Sequence, residues 1–507
     1  KERACMTDSA FFRSSPDRSR QDLRPAKAAL ALGVATLILA GCGGGSDSAE
    51  TPTTPTPPPS ALAAPENFAV GQSLSFSWTP TVAATRYELF VDPDGTGPLP
   101  ESQVEPQRFS YSAAPNGGSF NGSLGTTVNV ADVINASYRL RACNASGCGA
   151  FTDAKAFDVT KGISYEFASG YAPLVNYFSA GGQLRTGMLS KDGLTLALRG
   201  VSYGANTTTL VFARSSKNQP WQQQASLRSG DYYIDQSMLS ADGNTLAVRA
   251  LKQIRTSTSS LVVTDAVYVY QRSGGAWSQQ ARLDSTSAPS ACPQPCQAEI
   301  ADHMALSADG NLLAVSAAVS SGTTTSSAVF TYTRTGTAWA PQTSLSGEGT
   351  FIANMALSGD GRTLAVTDRD LLKTSATPLV LVFSQDGSGA WTQQERIPAT
   401  LYVYTPSISG GPEYGAMVLS GDGSTLAVNT AKVSGQVACG ASAADNGETQ
   451  RIALYARTSG AWNLQGQAVV NTGTSRPSTL WALANDGSAL IYGSTRFTRS
   501  SGTWACN

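Results

Sequence analysis

Six segments of the chain repeat one short pattern, and this repeat constrains the fold more than any other feature of the sequence. MLSADGNTLAV at 238–248 is typical, and the other copies align with it without gaps at 188–198, 305–315, 356–366, 418–428 and 482–492. Each copy places Asp-Gly between two runs of alternating apolar residues, which predicts a β-hairpin. Successive Asp-Gly pairs lie 50 to 67 residues apart, so each repeat has room for further strands.

Most repeats continue with a second hairpin pattern that ends in Trp, at 267–277, 329–339 and 453–462. Trp221, Trp391 and Trp504 occupy corresponding positions. Four strands per repeat predict the blade of a β-propeller, because both faces of such a blade are apolar and need a neighbour. We therefore predict an all-β protein with six propeller blades. The poorly matching segment 162–187 would supply either a closing strand or a degenerate seventh blade.

The Leu-Ser-x-Asp-Gly-x-Thr-Leu-Ala-Val core and the Tyr-x-Arg-x-Gly-x-x-Trp hairpin resemble FG-GAP repeats, the integrin-alpha-like propeller repeats of bacterial surface proteins. The Phe-Gly pair and the Asp-rich calcium loop of that family are absent, so we expect no calcium in the blades. Sialidase Asp boxes are similar, but they separate Asp from Gly. We interpret the Asp of each Asp-Gly pair as a turn residue.

Composition excludes several classes of site, because the 507 residues include one His and carry a net charge of −1. A multi-His metal centre and a broad basic surface for nucleic acid are both excluded. We predict no metal, no cofactor and no nucleic-acid partner. A Ser-His-Asp arrangement would have to use His303, for which a structural role is favoured. Five Met residues recur on the first strand of the blades and are interpreted as core positions: Met188, Met238, Met304, Met355 and Met417.

Residues 1–41 have the features of an export signal, with basic residues followed by an uncharged apolar run too short to span a bilayer. The run ends in Leu-Ala-Gly-Cys at 39–42, which resembles the lipobox of bacterial lipoproteins. The resemblance implies cleavage before Cys42 and diacylation of that residue, and Gly43 resembles the outer-membrane sorting pattern. An ordinary secretory signal is the alternative, and Met6 is a candidate start. Cleavage would change the net charge from −1 to −4, so attachment would depend on lipid.

Residues 42–64 are rich in Gly, Ser, Thr and Pro and are predicted to form an extended tether. Between 65 and 160 the pattern changes to short alternating strands separated by turns, which predicts a β-sandwich. Trp78, Tyr87 and the segment YRLRACN at 138–144 resemble a fibronectin type III domain. That resemblance implies a spacer or a binding module. The propeller would then occupy 161–507.

Cysteines in an exported protein are expected to form disulfides. Cys143 and Cys148 flank a turn and are predicted to pair; metal binding competes, but two thiols without nearby ligands make a poor site. Cys292 and Cys296 are predicted to close a second short loop. Cys439 and Cys506 are predicted to tie the fifth repeat to the last strand.

The position at the end of the second strand varies between repeats, and a rim built there is the candidate binding surface. Arginine beside aromatic residues is suited to glycan or peptide recognition. The equivalent positions hold Arg199, Arg249, Ser316, Thr367, Asn429 and Gly493. The predicted binding residues are Arg199, Arg249, Arg369, Tyr232 and Tyr233.

The leading hypothesis is a non-catalytic binding or adhesion module for a protein or polysaccharide, anchored by lipid at the outer membrane and monomeric. A glycan-active hydrolase or lyase on the propeller, and an envelope assembly scaffold, are the alternatives. Glycosidases need two opposed carboxylates or a Tyr nucleophile with its partner. The sequence nominates no such pair, and no catalytic residue is predicted.

Overall fold

The computed structural model describes 62–71, 74–95, 107–110, 120–123, 130–160, 174–178, 184–203, 206–227, 233–255, 261–289, 297–321, 324–346, 351–369, 379–398, 400–401, 403–404, 413–414, 417–432, 437–439, 450–471, 481–492 and 495–506. The predicted export signal, Cys42 and the predicted tether through residue 61 lie outside these residues. Almost all of the regular structure is β-strand, which confirms the all-β prediction. None of the helices in the described ranges is long and apolar enough to cross a membrane.

A β-sandwich occupies the N-terminal part, as predicted. Its strands are β1 (Glu66–Val70), β2 (Ser75–Thr79), β3 (Arg86–Asp92), β4 (Gln107–Ser110), β5 (Phe120–Ser123), β6 (Ser137–Asn144), β7 (Gly147–Phe151) and β8 (Lys155–Ala156). They form a three-stranded sheet in the order β1-β2-β5 and a second sheet in the order β4-β3-β6-β7, with β8 also paired to β6. A short 3-10 turn, Val130–Asp132, precedes β6.

The core of the sandwich comes from alternate residues of facing strands. Phe76 and Trp78 of β2 meet Tyr87 of β3 and Tyr138 of β6, and all four are buried. The ring centroids of Trp78 and Tyr87 lie 5.0 Å apart in an edge-to-face arrangement, as do those of Phe76 and Tyr138. Alternation therefore sends every second residue of β3 and β6, including their charged side chains, to the outer face of the sheet.

Six sheets follow, one for each Asp-Gly repeat, and we call them blades 1 to 6. Blade 1 contains β9 (Leu174–Phe178), β10 (Leu184–Leu189), β11 (Thr195–Tyr203), β12 (Asn206–Ala213) and β13 (Gln222–Leu227). Blade 2 contains β14 (Tyr233–Leu239), β15 (Thr245–Arg255), β16 (Leu261–Ser273) and β17 (Ala276–Leu283). Blade 3 contains β18 (Gln297–Leu306), β19 (Leu312–Ser321), β20 (Thr324–Thr335) and β21 (Ala338–Ser346). A 3-10 turn, Ser285–Ser287, lies between blades 2 and 3.

Blade 4 contains β22 (Phe351–Leu357), β23 (Thr363–Arg369), β24 (Leu379–Gln385) and β25 (Trp391–Pro398). The next strands are β26 (Thr400–Leu401), β27 (Val403–Tyr404), β28 (Glu413–Tyr414), β29 (Met417–Leu419), β30 (Thr425–Lys432), β31 (Val437–Cys439), β32 (Gln450–Thr458) and β33 (Ala461–Asn471). Blade 5 uses all of these except β27 and β28, which pair with each other. Blade 6 contains β34 (Trp481–Leu483), β35 (Ala489–Tyr492), β36 (Thr495–Ser500) and β37 (Thr503–Cys506).

Blades 2, 3, 4 and 6 have the four consecutive strands that the repeat predicts. Blade 1 has a fifth strand, because β9 pairs antiparallel with β10. The segment interpreted as a closing strand or a seventh blade thus contributes one strand to blade 1 within the described residues. Blade 5 is enlarged by β26 and by β31, which runs parallel to β33.

The Asp of each Asp-Gly pair holds its own turn, as predicted. In blade 2 the Ser240 hydroxyl donates to Asp242 Oδ1 at 2.5 Å, and the Asn244 N–H donates to the same oxygen at 2.9 Å. Ser240 Oγ in turn accepts the N–H of Thr245 at 2.9 Å. Blades 1, 3, 4 and 5 repeat this network. These carboxylates are therefore engaged in structure.

Neighbouring blades are joined at the same turns by main-chain hydrogen bonds of 2.8–3.0 Å. They run from Lys191 to Ala241, Ala241 to Ala308, Ala308 to Gly359, Asp360 to Gly421 and Asp422 to Asn485. The turns of blades 2 to 6 also pack their glycines on the preceding blade, and a Cβ on Gly310 would lie 2.4 Å from Thr245 Oγ1. Glycine is required here both by this approach and by its φ of +67°.

The sandwich and blade 1 share one hydrophobic core. Leu189, Leu196, Leu198, Leu210, Phe212 and Trp221 of blade 1 belong to the same buried cluster as the sandwich aromatics. The Asn135 side chain donates to the Trp221 carbonyl at 2.8 Å and accepts the Trp221 N–H at 2.7 Å. Arg214 lies over the Trp221 ring at 4.2 Å. These contacts fix the sandwich against the face of the first blade.

Candidate functional site

The varying position of the second strand is buried in the four repeats whose side chains are described there. Arg249 is 4% exposed, and Ser316, Thr367 and Asn429 are no more than 1% exposed. Thr245 and Ala247 share a strand face with Arg249, and Ala247 packs in the cluster between blades 2 and 3. The sequence placed these four residues correctly on equivalent strands but did not reveal their burial, and the binding role of Arg249 stays a prediction.

The other predicted rim residues are described by their backbone or not at all. Tyr232 lies outside the described residues, as does Gly493. Arg369 pairs in register with Phe351, and Tyr233 pairs with Leu251, at the ends of blades 4 and 2 that lie away from the Asp-Gly turns. Arg199 lies on β11 of blade 1. The binding role of these residues stays a prediction.

His303 and the five methionines lie on strands of the blades. His303 lies in an irregular stretch of β18, where the ladder with β19 is interrupted, and its N–H donates to Ser316 Oγ at 3.1 Å. Met188, Met304, Met355 and Met417 are buried, and Met238 packs partly buried between two blade clusters. The five methionines are thus repeated core positions, as predicted.

Cys143 and Cys148 are joined by a disulfide across β6 and β7. Together with Glu88 they are the group of potential metal ligands in the described part of the chain. A disulfide offers no thiolate, and Glu88 is engaged by arginines, so this group does not suit a cation. Cys292 and Cys296 lie outside the described residues. β31 lies against β37, which brings the backbones at Cys439 and Cys506 to neighbouring strands, and their pairing stays a prediction.

The outer face of the sheet β4-β3-β6-β7 carries an unusual set of side chains, which we call the arginine face. Its central row runs across four strands, with Arg108 opposite Glu88, Glu88 opposite Arg141 and Arg141 opposite Phe151. The next row pairs Phe90 with Arg139. Arg86 precedes Glu88 by two residues on the same side of β3. Outward positions of β3 and β6 therefore hold three arginines, Arg86, Arg139 and Arg141, against two acidic residues, Glu88 and Asp92.

Glu88 is the buried centre of this face, with 4% of its surface exposed. Arg141 donates to Oε2 through Nε at 3.0 Å and Nη2 at 2.8 Å, and Arg86 Nε lies 3.5 Å from Oε1. Burial raises the pKa of Glu88, but the hydrogen bonds and charges of Arg141 and Arg86 outweigh burial and leave the pKa lowered. The carboxylate therefore stays ionised and holds Arg141 in place.

Arginine and phenylalanine are stacked beside this ion pair. The Arg141 guanidinium lies 5.1 Å from the Phe90 ring centroid and 4.8 Å from that of Phe151. Arg139 lies 4.6 Å from the Phe151 centroid, and the two phenylalanines meet edge to face at 5.0 Å. Arg139 is half-buried and makes no ion pair within the described residues. Its N–H groups are thus positioned by stacking and lack an acidic partner there.

Sequence reasoning missed this face, although the signal for half of it was present. RYELF at 86–90 and YRLRAC at 138–143 alternate inward apolar residues with outward charged ones. The inward residues were used to predict the sandwich. The outward ones become a site only when β3 and β6 pair in register.

No family model matches the chain, and no curated protein matches it either. Among solved structures, it is similar to a 6-phosphogluconolactonase-like protein of Bacteroides uniformis, with 12% identity and a TM-score of 0.39 over 73% of this chain and 90% of that one. It is also similar to a periplasmic gluconolactonase of Pseudomonas aeruginosa, with 15% identity and a TM-score of 0.38 over 83% and 94%. An oligogalacturonate lyase in complex with manganese gives 10% identity and a TM-score of 0.36 over 88% and 96%. Likeness at this level assigns no activity, and the propeller is defined by the chain's own sheets.

Proposed function

We propose that the protein is a binding module of the bacterial envelope, held by a lipid on Cys42, and that the arginine face is its ligand site. The observation that carries the proposal is Arg139, a half-buried guanidinium stacked on Phe151 with no acidic partner in the described residues. A preorganised arginine loses little conformational entropy when it binds an anionic group. The sandwich shares a hydrophobic core with blade 1, which supports a rigid presentation of this face.

The test compares the full chain with two single variants on arrays of glycans and peptides. Arg139→Gln removes the stacked charge, and Arg362→Gln removes an exposed charge from the Asp-Gly turn of blade 4 as a matched control. We expect a bound ligand whose signal falls with Arg139→Gln and stays with Arg362→Gln. Equal signals from all three proteins would exclude the arginine face as the site.

Anchoring is tested separately from ligand binding. Cells that express the chain are fed a labelled fatty acid, and we expect the label on the wild-type protein and none on Cys42→Ser. An unlabelled wild-type protein recovered in the soluble fraction would favour the ordinary secretory signal. The FG-GAP resemblance supports a surface role of this kind, and the fibronectin-type resemblance supports a spacer or binding module.

A hydrolase or lyase on the propeller is the second candidate. The solved propellers to which the chain is similar include lactonases and a lyase by name. Product analysis by chromatography, after any bound glycan is incubated with the full chain, distinguishes the two. Cleavage that survives Arg139→Gln would place an active site elsewhere and favour this alternative.

A further inference from the structure

We propose that the ligand of the arginine face is a polysaccharide that carries carboxylates, with Arg139 as the residue that contacts it and Arg141 as a fixed second cation. This inference rests on the proposed binding function and names its ligand class. The first support is charge complementarity, since three arginines and two acidic residues share the outward positions of β3 and β6. Asp92 is turned to its own loop, where Oδ1 accepts the N–H of Gly95 at 3.2 Å.

The face already holds one carboxylate in the arrangement that a ligand would use. Glu88 lies between the guanidinium groups of Arg86 and Arg141, which engage its two oxygens separately. Planar guanidinium groups match planar carboxylates through paired N–H donors. Arg139 and Arg141 are two residues apart on β6, so they stand about 7 Å apart along the strand. A second carboxylate at Arg139 would repeat, one row away, the contact that Glu88 makes with Arg141.

The same geometry argues against a peptide as the partner. Peptides commonly bind a sheet by adding a strand to its edge or by filling an apolar pocket with an anchor side chain. The edge at β7 is approached by the N-terminal segment, because a Cβ on Gly149 would lie 2.0 Å from the Leu62 carbonyl oxygen. Phe90 is 4% exposed, so it offers no pocket, and Phe151 is the ring that remains half-exposed. A flat surface of fixed cations beside one ring suits a charged polymer that lies across it.

The role of Glu88 follows from its position beneath the arginines. It touches Arg141 and Arg86 but is too buried to meet a polymer, so it acts as a positioning residue. Its substitution by Gln releases Arg141 and removes a repulsive charge. We therefore expect Glu88→Gln to weaken carboxylate selectivity while retaining salt-sensitive attraction to any polyanion.

The experiment is titration calorimetry on the full chain with polygalacturonate, neutral dextran, dextran sulfate and poly-glutamate at low salt, repeated at high salt. We expect polygalacturonate to bind, dextran not to bind, and the polygalacturonate affinity to fall about tenfold in Arg139→Gln and not in Arg362→Gln. Added salt should weaken binding, because the half-exposed charges are screened. Far-ultraviolet circular dichroism checks that Arg139→Gln is folded.

Each contrary result has one meaning. If poly-glutamate binds as tightly as polygalacturonate and depends on Arg139, the ligand class is wrong while the arginine face remains the site. Tighter binding of dextran sulfate than of polygalacturonate refutes the preference for carboxylate. No binding of polygalacturonate refutes the inference outright. If Arg139→Gln changes the affinity for none of these polymers or array ligands, both the inference and the proposed function are wrong.

Discussion

Stacking of the Asp-Gly turns can be tested with three glycines that share a backbone conformation but differ in their neighbours. Gly310, Gly361 and Gly336 have φ values of +67°, +73° and +64°. A Cβ at Gly310 would lie 2.4 Å from Thr245 Oγ1 and 2.5 Å from Thr245 Cβ on the preceding blade. At Gly361 the nearest atoms would be 3.4 Å away, and at Gly336 none lies within 4 Å.

Substitution by Ala separates the conformational cost from the packing cost. All three variants lose about 1 kcal/mol because an L-residue is disfavoured at these φ values. Gly310→Ala should lose about 1–3 kcal/mol more, the usual penalty for overpacking, because the Thr245 backbone is tied into β15 and cannot retreat. Gly361→Ala should resemble the open control Gly336→Ala.

Hydrogen exchange followed by mass spectrometry measures the effect at the joint itself. The N–H groups of Ala241 and Asp242 donate to the Ala308 carbonyl, so their exchange reports opening between blades 2 and 3. A loss of about 2 kcal/mol at this joint corresponds to roughly 30-fold faster exchange. Gly336→Ala lies in the outer hairpin and should leave these amides unchanged. If Gly310→Ala and Gly336→Ala give the same exchange rates there, the turns do not bear the contact between blades.

Three further changes test other parts of the molecule. Glu88→Gln should lower the free energy of unfolding in urea at pH 7 by about 2 kcal/mol, less than for a fully buried pair because the arginines are partly exposed. Since the pKa of Glu88 is lowered in the folded state, its stabilising contribution is present above the ordinary pKa of 4.5 and is lost as pH falls through the folded pKa. The variant should therefore lack this part of the acid sensitivity of the wild type. A wild type and a variant with equal pH dependence would contradict that account. Asn135→Ala removes both hydrogen bonds to the Trp221 backbone and should speed exchange of the Trp221 amide, whereas an unchanged rate would mean that the junction is held by the shared core alone. Peptide mapping without reduction should recover Cys439 linked to Cys506, and free thiols at both would refute the predicted pair.

The local parts of the fold could be predicted from sequence because their signals are local. An Asp-Gly pair between alternating apolar residues specifies a hairpin within about ten residues, and the structure has that hairpin in every repeat. Alternation in β3 and β6 likewise predicted which residues of the sandwich face inward. Blade order followed from repetition, because each blade needs the next one to cover it.

What could not be predicted depends on contacts between distant residues. Arg141 and Glu88 are 53 positions apart, and a shift of one residue in the register of β3 and β6 would remove their contact. The 4% exposure of Arg249 could not be predicted, because sequence gives the strand of a residue but not the elements packed around it. Asn135 and Trp221, 86 positions apart, join two parts of the chain whose patterns are unrelated.

The blades and the sandwich differ in which polar side chains are engaged by contacts within the fold. In the described parts of the repeats, the recurrent Ser and Asp residues hold the Asp-Gly turn. Arg272 donates to Asn244 Oδ1 and to Thr195 Oγ1 of the neighbouring blade. Arg139 stacks on Phe151 and has neither such a network nor an acidic partner within the described residues. The Phe151 ring orients this guanidinium, so an anion that binds there would meet a donor whose conformational entropy is already reduced. Under the binding function that we propose, the arginine face recognises the ligand and the blades support the sandwich that carries it.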